Sequence, residues 1–341
     1  MTDAAIDLEP SGEPVAGGPI LEIHDLEVTF ATEEGKVKAV RGVDLRVNPG
    51  ETLGIVGESG SGKSVTMLAM MGLLPRTATI TGSATYLGHE LLGKKGAIRM
   101  FRGGKIAMIF QDPLTALNPV QRVGNQIAEG IMAHQPSLGR DGAKRRAVEM
   151  LERVGIPQPG TRARGYPHEF SGGMRQRAII AMAIANDPDV LIADEPTTAL
   201  DVTVQAQILE VIKEAQVATE SAVVFITHDL GVIARLADRV QVMYAGRVAE
   251  LGVVDDIFAH PRHPYTEGLL RSLPKLDAES IGQRLNPIPG APPSMLTPPP
   301  GCSFHPRCPM AQDVCSVEVP GLRFIADSQS SACHFAEEVG P

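Results

Sequence analysis

The chain has 341 residues, 43% of them hydrophobic and 21% charged, enough for about two domains at roughly 150 residues each and for a proper core. A net charge of −9, 4% aromatic residues and the absence of Trp argue against a base-stacking or nucleic-acid-binding surface. No run approaches the ~18 consecutive apolar residues of a membrane span, and the first residues lack a basic start followed by an apolar stretch. The expectation is a cytoplasmic protein that reaches a membrane only through partners.

Residues 1–18 are rich in Gly, Pro, Ala and acids without periodicity and read as a disordered tail. Apolar residues alternate over 21–30 and 43–47, as in half-buried strands. A short apolar run at 52–56 enters a Gly-rich loop, and 63–74 reads as a helix. Residues 105–110 form a further strand. Residues 121–186 read as mostly helical, with Ala147, Val148, Leu151 and Val154 at helical spacing. Within them Arg140, Lys144, Arg145 and Arg146 read as a solvated basic face. Residues 190–193 are a strand, 202–218 a helix, 222–226 a strand and 229–236 a helix. Strands alternating with helices indicate a parallel α/β sheet, interrupted by an inserted helical subdomain at about 113–186. Residues 286–301 hold too much Pro for a helix or a central strand and form a stiff connector to the C-terminal stretch.

Gly57-Glu58-Ser59-Gly60-Ser61-Gly62-Lys63-Ser64 matches G-x-x-x-x-G-K-[ST] between a strand and a helix. Glycines let the loop curl so that its N–H groups converge on phosphate oxygens at the positive end of a helix. Lys63 would then contact the outer phosphates and the Ser64 hydroxyl would ligate Mg²⁺. Further on, the apolar strand 190–193 ends in Asp194 and Glu195. Asp194 is placed to hold Mg²⁺ through its water shell, and Glu195 to orient or deprotonate an attacking water.

Between these two elements, Phe170-Ser171-Gly172-Gly173-Met174-Arg175-Gln176-Arg177 resembles the signature motif of ABC ATPases, with Phe170 and Met174-Arg175 departing from its commonest residues. Gln111 resembles that family's Q-loop glutamine and a Mg²⁺ ligand, Asp201 its D-loop aspartate, and His228 its switch histidine. Phe30 is placed like the aromatic that stacks on adenine. The resemblance covers roughly residues 20–260. It implies a RecA-like parallel core with an N-terminal antiparallel β part and an inserted helical subdomain. It also implies ATP held by Gly57, Ser59, Gly60, Ser61, Gly62, Lys63, Ser64 and Val65. Two ATPase subunits would dimerise so that Ser171, Gly172 and Gly173 of one meet the γ-phosphate on the other. A soluble ABC ATPase acting on ribosomes or DNA is the alternative, and such proteins usually carry two cores or a long coiled coil.

After the ATPase core, His263-Pro264-Tyr265-Thr266, Leu269-Leu270-Arg271-Ser272-Leu273-Pro274, Ile288-Pro289-Gly290-Ala291-Pro292-Pro293 and Gly301-Cys302-Ser303-Phe304-His305-Pro306-Arg307-Cys308-Pro309 resemble the C-terminal extension of oligopeptide and dipeptide importer ATPases. Residues 110–119 are similar to the Q-loop region of the same branch, and a nickel importer is the nearest competitor. The resemblance implies two transmembrane permease subunits, a second ATPase chain, an extracytoplasmic peptide-binding protein and a position on the cytoplasmic face of the plasma membrane. The domain division is then a tail at 1–18, a nucleotide-binding domain at 19–262 and an extension at 263–341. Cys302, Cys308, Cys315 and Cys333 are the only cysteines. Clustered in a cytosolic chain, they suggest a Cys₄ site for zinc or an iron–sulfur cluster. Resemblance to the peptide-importer ATPases implies a four-iron four-sulfur cluster with a structural role.

Overall fold

The computed structural model describes residues 18–93, 97–112, 116–198, 200–273, 287–326 and 328–340. The tail expected at 1–18 falls outside them except for its last residue, as do residues 113–115 of the Q-loop region.

In chain order the elements begin with β1 (Leu21–Thr32), β2 (Gly35–Val47), β3 (Thr52–Val56), α1 (Lys63–Met70), β4 (Ala78–Tyr86) and β5 (His89–Glu90). Then α2 (Ala97–Phe101) and β6 (Ile106–Ile109) lead into the helices α3 (Val123–His134), α4 (Gly139–Arg153), α5 (Pro159–Arg162) and α6 (Gly172–Ile184). Alternation resumes with β7 (Val190–Asp194), α7 (Val202–Thr219), β8 (Ala222–Thr227), α8 (Leu230–Leu236), β9 (Arg239–Tyr244) and β10 (Arg247–Val253). The chain closes with α9 (Val254–Ala259), α10 (Pro264–Arg271), β11 (Arg323–Ala326) and β12 (Gln329–Ser331).

Among the described residues the strands fall into two sheets: an antiparallel one in the order β2-β1-β4-β5 and a larger one in the order β11-β12-β10-β9-β3-β8-β7-β6. Within the larger sheet β9, β3, β8, β7 and β6 run parallel. These strands are apolar throughout because both faces are covered. Leu53, Ile55, Ile106, Met108, Val190, Ile192, Val224 and Ile226 pack toward α1 and the antiparallel sheet. Val56, Ala107, Ile109, Leu191, Ala193, Val223 and Phe225 pack toward the helices. The switch from one core to the other at every step is the two-residue period of a strand.

The helical insertion is held by its own buried stripe, Ile127 and Ile131 of α3 against Ala143, Ala147, Met150 and Leu151 of α4 and Ile180 of α6. Of the residues expected at helical spacing, Ala147, Leu151 and Val154 are buried and Val148 is half-buried. Arg140, Lys144 and Arg145 are exposed, while Arg146 reaches across to Asp187 at 2.9 Å.

Two differences from the sequence reading have local causes. The helix expected over 63–74 ends at Met70, because Gly72 turns left-handed at φ +63° and Pro75 follows. The strand expected at 43–47 begins at Gly35, and β4 carries no strong sequence signal. Its polar Thr79, Thr81, Ser83 and Thr85 are exposed or half-buried and alternate with the half-buried or buried Ala78, Ile80, Ala84 and Tyr86, as on a sheet with one wet face.

Beyond α10 the chain returns to the edge of the larger sheet. There β12 pairs antiparallel with β10 through Glu250↔Ser331 and Leu251↔Ser330, and β11 pairs with β12. This covers an edge that would otherwise offer unpaired backbone groups.

Candidate functional site

The larger sheet delivers its polar groups to one edge, the carboxyl ends of its parallel strands, where open α/β sheets hold ligands. Val56 of β3 is level with Thr227 of β8, and Asp194 of β7 with Ile226. The Gly57–Ser64 loop, Asp194, Glu195 and His228 therefore emerge side by side, with Gln111 following β6. Gly57, Gly60 and Gly62 all take positive φ, the conformations a loop needs when its backbone must curl tightly.

The side chains of these residues meet at that edge. The Ser64 hydroxyl donates to Asp194 Oδ1 at 2.7 Å. The buried Lys63 ammonium donates to the carbonyls of Gly57 at 2.7 Å and Glu58 at 3.1 Å. Burial lowers its pKa, against the pull of Glu195, Asp194 and Glu58. Asp194 is held above the usual carboxylate range chiefly by burial and also by the neighbouring charge of Glu195; Ser64 and Lys63 oppose the shift. Glu195 sits at the strained φ of +44°, and three groups surround its carboxylate. Gln111 Nε2 donates to Oε2 at 2.9 Å, the Thr198 hydroxyl donates to the same oxygen at 2.8 Å, and His228 Nδ1 lies 3.3 Å from Oε1. Thr198 was not marked by any motif in the sequence reading; its signal was only its place in the turn after Glu195.

Ser171 and Asp201 do local work that their types predict. Ser171 caps α6 by accepting from the Met174 N–H at 3.3 Å, and Asp201 caps α7 by accepting from Val204 at 3.0 Å. Gly173 lets the two helices approach, since a Cβ there would meet Val204 Cγ1 at 2.8 Å. Ser171 and Gly172 face solvent. Phe30 lies half-buried on β1 opposite Val37 and Ala78, and Val65 is half-buried in the first turn of α1.

The four cysteines, all free, border one pocket together with Phe304, Met310 and Phe335. Burial raises the thiol pKa of Cys302, and raises those of Cys308 and Cys333 to about 11. Among the described residues no three His, Cys, Asp or Glu side chains form a group that could hold a metal ion as they stand. The expected ligand set is thus gathered around one space without forming a finished chelate.

The sequence reading also gave no role to the residues that reach the loop from the far end of the chain. Glu58 lies 27% exposed beside the guanidinium of Arg307, whose side chain is only 5% exposed. The Glu58 N–H donates to the Tyr265 hydroxyl at 2.8 Å.

A glycine-rich phosphate loop after β3, an acidic pair at the end of β7 one parallel strand removed, and an inserted helical segment with its capped Ser-Gly-Gly turn together define the ATP-binding cassette class. Residues 40–198 match the ABC transporter family model, and residues 249–315 match that of the oligopeptide/dipeptide transporter C-terminal region. The fold resembles a dimeric ATP-binding cassette, MJ0796, in a post-hydrolysis state bound to ADP and Pi, with a TM-score of 0.61 at 25% identity over 69% of this chain and 98% of that one. The chain is 51% identical to the dipeptide transport ATP-binding protein DppD of Bacillus subtilis, over 94% of this chain and 95% of that one. It is 57% identical to the oligopeptide transport ATP-binding protein OppD of Mycobacterium bovis, covering 92% of this chain but spanning about half (52%) of that longer relative. The chain belongs to the family of ATP-binding proteins of oligopeptide and dipeptide ABC transporters. Among the described residues no helix is long and apolar enough to cross a membrane.

Proposed function

We propose that this chain binds and hydrolyses ATP to power import of oligopeptides or dipeptides through an ABC transporter. The observation that carries the reading is the meeting of Lys63, Ser64, Asp194, Glu195, Gln111 and His228 at one edge of the sheet. In the working assembly the chain lies at the cytoplasmic face of the plasma membrane. It pairs there with a second ABC ATPase and grips two transmembrane permease subunits, with peptide delivered by an extracytoplasmic binding protein. The similarity to DppD and OppD supports that assignment.

The site suits Mg²⁺·ATP, because Ser64, Asp194 and Gln111 supply the oxygen donors that Mg²⁺ prefers. Bound Mg²⁺ would neutralise charge on the outer phosphates. Lys63 turns from the loop carbonyls to the outer phosphates, and the loop N–H groups cradle them. Phe30 stacks on the adenine. Glu195, oriented by Gln111, Thr198 and His228, positions and deprotonates the attacking water, and His228 steadies the γ-phosphate. Gln111 couples the site to the helical insertion. Ser171, Gly172 and Gly173 contact the nucleotide held by the partner ATPase, and Asp201 lies at that same junction, so ATP favours the closed pair.

Cys302, Cys308, Cys315 and Cys333 would hold an iron–sulfur cluster stapling the extension, with zinc as the alternative occupant, although as they stand they form no finished chelate. Four thiols gathered at one apolar pocket support this reading.

Glu195→Gln tests the enzymatic core: we expect kcat to fall at least about 100-fold while ATP still binds. Hydrolysis at the wild-type rate would overturn the role of Glu195.

A further inference from the structure

We propose that Arg307 and Tyr265, both in the C-terminal extension, are positioning residues for the phosphate loop, so that this distal segment sets the affinity for ATP. The inference rests on the nucleotide-binding reading of that loop. Three contacts converge on Glu58, the residue after the loop's first glycine. Its carbonyl accepts from Lys63 at 3.1 Å, its N–H donates to the Tyr265 hydroxyl at 2.8 Å, and its carboxylate accepts from Arg307 Nη1 at 2.6 Å and Nη2 at 3.0 Å. Glu58 is thereby fixed through its backbone and its side chain at once, next to the lysine that must meet the phosphates.

Arg307 is built to hold that position. Every N–H of its guanidinium finds an acceptor: Nε the Pro289 carbonyl at 2.9 Å, and Nη1 and Nη2 the Tyr244 hydroxyl at 3.3 Å and the Ile288 carbonyl at 3.4 Å in addition to Glu58. Its guanidinium carbon lies over the rings of Tyr244 and Phe304, 5.9 and 6.0 Å from their centroids. Tyr265, fully buried, packs on both of those rings at centroid distances of 4.5 and 5.4 Å. A bidentate guanidinium–carboxylate pair fixes direction as well as charge.

The charge matters as much as the position. Glu58 contributes a negative field at Lys63, where a polyanion must bind. With Arg307 in place the carboxylate is neutralised and turned toward the extension. Without it, an unpaired carboxylate faces the incoming phosphates and the Lys63 ammonium has a competing partner. The separation of 249 positions between Arg307 and Glu58 makes the extension, rather than the loop's own neighbours, the source of this control.

The test is a double-mutant cycle on the full chain with ATP as the probe, reading equilibrium binding, KM and kcat separately. Arg307→Met should weaken ATP binding and raise KM about tenfold or more, with a smaller change in kcat. Adding Glu58→Gln to that variant should restore affinity to within about twofold of Glu58→Gln alone, because the unpaired charge is gone. Tyr265→Phe, which removes one hydroxyl and keeps the ring packing, should raise KM by a few fold. Unchanged ATP affinity in Arg307→Met would overturn the proposal. So would a loss that Glu58→Gln fails to rescue in a variant that keeps the wild-type melting temperature. If Arg307→Met fails to fold, Tyr265→Phe decides alone: a wild-type KM there sinks the proposal. A wild-type chain that binds no ATP would instead overturn the nucleotide reading itself.

Discussion

At the scale of single residues, the loop's first glycine shows how little tolerance the site has. Gly57 sits at φ +151°, and a Cβ there would lie 2.1 Å from the Met243 carbonyl oxygen on β9. That oxygen belongs to a strand backbone and cannot swing away as a side-chain tip could. Gly57→Ala should therefore lower stability by about 2 kcal/mol or more and weaken ATP binding at least about tenfold. A thermal melt and an equilibrium binding curve check the two effects, and a variant normal in both would show that β9 can give way. Glu195 illustrates the complementary case, a residue other than glycine held at positive φ. Its backbone N–H donates to the Ile226 carbonyl at 2.9 Å, and its carboxylate is held from three sides, so the surroundings over-determine a conformation that would otherwise be disfavoured.

At the scale of elements, β10 carries a carboxylate in the wrong solvent. Glu250 is fully buried and its pKa is pushed up to about 7, mainly by burial, against the hydrogen bond that its Oε1 accepts from the Arg262 N–H at 2.6 Å. Because the folded pKa lies above the unfolded one, the folded chain keeps a proton that the unfolded chain gives up. Stability from this group is therefore full below the ordinary carboxylate range and is lost as pH rises toward about 7, by up to about 3 kcal/mol. His263, buried and lowered to about 4, acts in the opposite sense: its share of stability is lost as pH falls below the ordinary histidine range. That share is common to wild type and variant. Glu250→Gln should gain in melting temperature over wild type as pH rises from about 5 to about 8. A constant difference across that range would show that Glu250 is ionised throughout. The elements themselves were legible to different degrees. The strands β3, β7 and β8 announced themselves as unbroken apolar runs because both faces are buried, whereas β4, with one wet face, did not. The end of α1 was misplaced because apolar Leu73 and Leu74 continue the helical pattern past the point where Gly72 has already turned the chain.

At the scale of the whole molecule, the extension is both strap and staple. It adds β12 and β11 to the edge of the larger sheet, ties Ser303 to Arg41 of β2 at 2.9 Å, and closes with Arg307 on the phosphate loop. Its Cys302 and Cys308 pack against the main core, which includes Phe304, and small segments poor in a core of their own usually need a cross-link or a metal. Protein purified without oxygen should carry iron and acid-labile sulfide in about equal amounts, and removing them should lower the melting temperature. Since burial keeps the thiols of Cys308 and Cys333 protonated to about pH 11, loading should release protons and strengthen as pH rises. One zinc per chain with little iron would establish the alternative occupant, and neither metal would leave four structural thiols.

The sequence alone determined whatever depends on neighbours a few positions apart. The glycines and Lys63-Ser64 of the loop, and the two-residue and 3.6-residue periods of strands and helices, are local consequences of backbone sterics, hydrogen bonding and burial. The order of those motifs was also enough to place the chain in its family. Tertiary structure decided the contacts that no period encodes. Tyr265 and Arg307 reach Glu58 only because the extension returns across the sheet edge to the loop. An ion pair between distant positions depends on the path of the whole chain, and that path is fixed by the backbone pairing of β12 with β10 and by the buried aromatic cluster of Tyr244, Tyr265 and Phe304.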